Sequence, residues 1–67
     1  MVYRMTFVTV YRFKLTNRTT GEGMVSPRMA TRAAIDAVRA ELIEGTAREL
    51  PVADIDSLGF TRRNVPQ

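Results

Sequence analysis

VYRMTFVTVYRFKLTN, residues Val2 to Asn17, is the stretch whose reading decides the fold. In an extended chain successive side chains point to opposite faces. The odd positions are Tyr3, Met5, Phe7, Thr9, Tyr11, Phe13 and Leu15, almost all apolar. The even positions, Val2, Arg4, Thr6, Val8, Val10, Arg12, Lys14 and Thr16, are mixed. The alternation keeps one phase, and no Gly, Pro, Asn or Asp interrupts it before Asn17. This predicts one long strand with a buried odd face and with Phe7 and Phe13 as core residues. Roughly fourteen extended residues would run about 46 Å, against about 5–6 residues in an ordinary strand. A bulge or bend is therefore expected midway, at Thr9, the least apolar point of that face.

Beyond Asn17, the sequence Arg18-Thr19-Thr20-Gly21-Glu22-Gly23 carries turn residues, and Met24-Val25 suffices for a short return strand. The pattern predicts a hairpin. The Gly-Glu-Gly run lacks the Lys of a phosphate-binding P-loop, since Met24 follows its last Gly, and it lacks the third Gly of a dinucleotide fingerprint. A helix is expected over Thr31–Glu44, with Gly45 in the left-handed position that ends it. Its start has two solutions: Ser26 capping with Pro27 at the first helical position, or Thr31 capping one turn later, which is preferred. Ala34, Ile35, Val38 and Leu42 form its apolar stripe. Arg32 with Asp36, and Asp36 with Arg39, are spaced to pair on its surface.

Thr46–Val52 reads as a third strand, with Pro51 marking an edge or an end. In the following segment Ile55, Leu58 and Phe60 are expected to anchor the core, and Asp54 or Asp56 to cap a single turn ended by Gly59. Asp54, Asp56 and Gly59 also match three places of a calcium loop, but Leu58 and Val65 stand where that loop needs oxygen ligands. Thr61 to Gln67, with Arg62 and Arg63, reads as a frayed end.

These elements assemble into an α+β domain. The expected sheet has three strands in the order short, long, third, with the long first strand in the centre and one helix on one face. The domain is expected to span residues 1–61, with 62–67 as a flexible basic tail. Two features do not close. A helix of about 14 residues is roughly 21 Å long and cannot cover the strand, and Val8 and Val10 on the even face have no evident cover. They form a candidate partner surface.

A chain of 67 residues is one domain, and at this size only about 60% of the unfolded surface is buried. No Cys and no His is present, which excludes disulfides, thiolate zinc sites and imidazole catalysis. No cofactor, metal or small-molecule substrate is expected, and no catalytic residue stands out. No apolar run approaches the about 20 residues of a membrane helix, and Arg4, Thr6, Thr9 and Arg12 break the first stretch against a signal-peptide reading. The expectation is a cytoplasmic protein without membrane attachment. Ten Lys and Arg against seven acids leave a net charge of +3. Two function classes follow. The first is a small non-enzymatic interaction or assembly module that self-associates as a homodimer through Val8 and Val10 or the alanines of the helix. The second is weak, sequence-tolerant binding of nucleic acid by Arg4, Arg12 and Lys14 on the outer face of the sheet, with Arg18 at the turn.

Overall fold

The alternating stretch does form a strand. In the computed structural model, which describes residues 6–66, β1 runs Phe7–Thr16. It lies at the centre of an antiparallel sheet. On one edge β2 (Gly23–Ala30) pairs with its C-terminal half, Tyr11 to Thr16. The other edge is shared by β3 (Glu41–Leu42), opposite Phe13 and Lys14, and β4 (Arg48–Pro51), opposite Phe7 to Val10. One helix, α1 (Arg32–Ala37), and a 3-10 turn, Val52–Asp54, complete the elements. The class is α+β, with β1 flanked on both edges as expected and with one more short strand than expected.

β2 is longer than Met24-Val25 because it continues through Pro27 to Ala30. The register slips inside it: Lys14 faces Val25 while Arg12 faces Met29. Phe13 thus spans Ser26, Pro27 and Arg28, and the irregularity falls there and not at Thr9. A bulge of this kind is where a strand accepts proline, which has no N–H to give to the ladder.

The helix starts at the preferred cap: the Thr31 hydroxyl accepts from Ala34 N–H at 3.2 Å. It ends far earlier than Gly45. Arg39 takes a left-handed conformation at φ 57°. Its N–H donates to Asp36 O and that of Ala40 donates to Ile35 O, the paired bonds of a Schellman ending. Tertiary pairing explains the early stop. Leu42 must lie opposite Phe13, and Ile43 N–H donates to Arg12 O; a helix through residue 44 would forfeit both. Arg32 lies 5.1 Å over the Tyr11 ring and does not pair with Asp36. Among the described residues the recorded ion pair is Arg28 with Asp56.

Two small cores lie on opposite faces of β1. Under α1, Phe13, Ala30, Ala34 and Ile35 are buried together with the half-buried Tyr11, Leu42 and Phe60. Phe13 and Phe60 meet edge to face, with centroids 5.7 Å apart. Below the sheet, Val10, Met29 and Ile55 are buried against Val8, Leu50 and Val65. The assignment of a wholly buried odd face therefore fails at its N-terminal end: Phe7 is 51% exposed, since the short α1 does not reach it. Leu58, expected as an anchor, is 74% exposed.

The lower cover comes from the segment expected to close the bottom of the core and trail away. Ile55 and Thr61 pair in a tight turn, and Thr61 N–H donates to Met29 O along the outer edge of β2. Gly59 sits at φ 96° against the helix cap, where a Cβ would lie 2.7 Å from the Thr31 hydroxyl. The residues expected as a loose tail are bonded in: Arg62 N–H donates to Asp54 O and Val65 N–H to Pro27 O.

Phe13→Ala should cost about 3–5 kcal/mol, enough to unfold so small a domain, whereas Phe7→Ala should cost under about 1 kcal/mol. Urea unfolding of the two variants checks the face assignment, and equal losses would refute it. The turn at Asp56 has a pH signature. Its carboxyl is held below the usual value, chiefly by the N–H of Phe60, with Leu58 N–H and Arg28 helping against partial desolvation. A depressed folded pKa adds stability above the unfolded pKa and loses it as pH falls through the folded value. Stability should therefore drop in acid below about pH 4. Asp56→Asn should make that drop shallower, as read from urea midpoints at neutral and acid pH.

Candidate interaction surface

The residues singled out in the sequence do not converge. Val10 is fully buried and Val8 half-buried, because Ile55, Leu50 and Val65 cover the even face. Val10 is core and Val8 packs half-buried beside it, so their side chains do not form the uncovered apolar patch expected. Arg4 lies outside the described residues. Lys14 is half-buried beside Glu41 and Val25, and Arg18 is exposed in the hairpin turn.

Arg12 is the main correction to the basic ribbon. It is 6% exposed. Its guanidinium donates to the carbonyls of Ser26 at 3.3 Å and Pro27 at 3.2 Å through Nη1, and to Val65 at 2.8 Å and Pro66 at 3.4 Å through Nη2. No buried side-chain nitrogen or oxygen among the described residues lacks a partner. Among the described residues the cation is held by carbonyl dipoles, with no carboxylate recorded beside it. The planar fork of arginine, with its five N–H donors, suits such a cage. The bulge in β2 helps to build it by supplying the Ser26 and Pro27 carbonyls. Arg12 is thus a structural tie and has no donor to spare for phosphate at those positions.

Two open clefts adjoin this region. One, of about 430 Å³, lies between Arg12, Val25 and Met29 and the loop from Ile43 to Arg48. The other, of about 490 Å³, lies between Leu50, Ala53 and Asp54 and the C-terminal segment. The first is lined by no carboxylate, and the second brings Asp54 near Thr61, Arg62 and Arg63. Among the described residues no group of three Asp or Glu could hold a metal ion, and no helix is long and apolar enough to cross a membrane.

The feature that sequence reasoning missed is a strand edge. Val52 N–H donates to Thr6 O, and Ile43 N–H donates to Arg12 O. The backbone groups of even residues of β1 therefore face β3 and β4, and those of odd residues face the opposite edge. That opposite edge is occupied by β2 only as far as Tyr11, which faces Ala30. Among the described residues Phe7 and Thr9 have no backbone partner there. Both side chains are exposed. The signal was present in the sequence as TFVTV, Thr6 to Val10: five residues of high strand propensity without charge, Gly or Pro.

Removing residues 64–67 should cost about 3 kcal/mol, because the buried Arg12 loses two acceptors and the lower core loses Val65. Urea unfolding of the shortened chain checks this; an unchanged midpoint would show that the carbonyl cage contributes nothing. Compared with known protein families, with curated proteins and with solved structures, the chain matches none.

Proposed function

We propose that this chain is a small non-enzymatic interaction and assembly module, acting in the cytoplasm, that self-associates through the open edge of β1. The observation that carries the reading is the backbone of Phe7 and Thr9, unpaired on one edge among the described residues, beside a half-exposed aromatic ring. An exposed edge is a ready template for another strand, and strand addition is a recurring mode of recognition. The absence of His and Cys from the sequence supports the non-enzymatic part.

The alternative, binding of nucleic acid by the outer face, has thinner support. Arg12 is withdrawn into its carbonyl cage, and among the described residues Lys14 and Arg18 are what is left of that set. The two readings differ in salt dependence, since phosphate binding weakens steeply as salt rises, while a seam built on Thr6 to Val10 carries no charge.

Sedimentation across a concentration series tests the reading. The parent chain should shift above 7.5 kDa as concentration rises, with little change between low and high salt. Phe7→Lys with Thr9→Lys places charges on the edge, the device natural proteins use to block strand pairing. This variant should keep the fold and remain at 7.5 kDa. A parent that is monomeric throughout, or a variant that associates like the parent, would overturn it.

A further inference from the structure

We infer that the cleft on the lower face of the sheet binds a small organic carboxylate: Arg48 and the loop before it hold the carboxylate, and Val25, Met29 and Ile43 hold its apolar body. The inference is independent of self-association through the β1 edge. The cleft measures about 430 Å³, within the range of small-molecule sites, about 300–1,000 Å³. Residues directly opposite on neighbouring strands share a face of the sheet. Arg48 lies opposite Val10, whose side chain is buried in the lower core, so the Arg48 side chain belongs to that face. Met29, also in the lower core, lies opposite Arg12, and Ile43 gives its N–H to Arg12 O. These residues line one cleft. The loop is held in place by Thr46, whose hydroxyl accepts from Arg12 N–H at 3.0 Å and donates to Ile43 O.

The occupant is an anion because the charged side chains lining the cleft are both arginines, Arg12 and Arg48. Arg12 is buried, and its terminal nitrogens are committed to carbonyls. Those dipoles hold its charge without cancelling it, so Arg12 contributes field and not hydrogen bonds. A cleft lined by one sign of charge, with walls of low dielectric, concentrates the opposite ion. Arg48 is exposed, and among the described residues no ion pair engages it. Glu41, Glu44 and Glu49 do not line the cleft, and Glu49, opposite Thr9, belongs to the helix side of the sheet. The fork of a guanidinium matches a carboxylate in a bidentate pair. The N–H groups of Gly45, Thr46 and Ala47 make no backbone hydrogen bond among the described residues, which leaves three further donors in the loop. The other wall, Val25, Met29 and Ile43, is apolar. A strongly hydrated ion such as phosphate would lose water against that wall and gain nothing for it. A carboxylate with an apolar body satisfies both halves of the cleft.

Benzoate is the probe. Titrated into the isotope-labelled chain at constant ionic strength, it should move the amide resonances of Gly45, Thr46, Ala47 and Arg48 along one saturating curve. Acetate has the charge without the body, and benzyl alcohol has the body without the charge. Each should bind about tenfold more weakly than benzoate, or less. Arg48→Gln should weaken benzoate about tenfold, and Arg48→Lys, which keeps the charge but not the fork, should recover part of the loss. Ala47→Glu places a competing carboxylate beside Arg48 and should abolish binding. Both positions are exposed, so the urea midpoints should stay at the parent's value, which separates lost binding from lost fold. Unchanged benzoate binding in Arg48→Gln, an equal response to acetate or benzyl alcohol, or shifts centred on Arg62 and Arg63 would overturn the inference.

Discussion

A buried guanidinium held by four backbone carbonyls is the constraint on which the rest of this structure depends. Arg12 stands at the middle of β1 with four carbonyls around its terminal nitrogens. Burying a charge without partners is costly, and hydrogen bonds to a charged group contribute about twice what neutral ones do. Two demands follow. β2 must slip its register so that the Ser26 and Pro27 carbonyls turn toward Arg12, and the chain must return after residue 61 so that Val65 and Pro66 close the other side. The same return lays Val65 against Ile55, Val10 and Met29. One side chain therefore connects the bulge, the lower core and the C-terminal segment.

The division into two cores follows from size. A chain this short cannot build a thick layer, and its burial is marginal. Placing one cluster above β1 and one below it lets a single strand contribute to both: Phe13 upward and Val10 downward. Each cluster needs only a short cover. Six helical residues suffice above, and a turn with a few extended residues suffices below. Thr61 joins the covers, since its backbone pairs with Met29 and its hydroxyl accepts from Met29 N–H, while its neighbour Phe60 packs on Phe13.

What was legible in the sequence was what local chemistry decides. The central strand, the hairpin turn, the Thr31 cap, the edge character signalled by Pro51 and the turn at Asp56 all follow from residue type and spacing. What was not legible was decided by contacts distant in sequence. Helix propensity favoured continuing through Ala40 and Glu41, but pairing of Leu42 with Phe13 overrode it. Strand periodicity identified Val8 and Val10 as sharing a face but could not show that residues 50–65 would cover it. Arg12 looked like a surface cation because its acceptors lie as far as 54 positions away. The edge of β1 that stands open among the described residues was not legible for a related reason: periodicity ranks faces of a strand and says nothing of its edges.

The open edge is a consequence of how β2 ends. Its pairing with β1 stops at Ala30, because Thr31 is committed to capping α1 and its N–H to Gly59 O. The close approach of Gly59 to Thr31 leaves no room to shift that cap. β1, however, must extend back to Phe7 to pair with β4, whose Leu50 completes the lower core. The central strand therefore outruns β2 by the length from Phe7 to Thr9. Residues 55–61, which could otherwise cover it, are already used on the far edge of β2. Covering Phe7 from within would mean giving up either the helix cap or the lower core. Under the self-association proposed above, a second copy would supply a strand there without disturbing either.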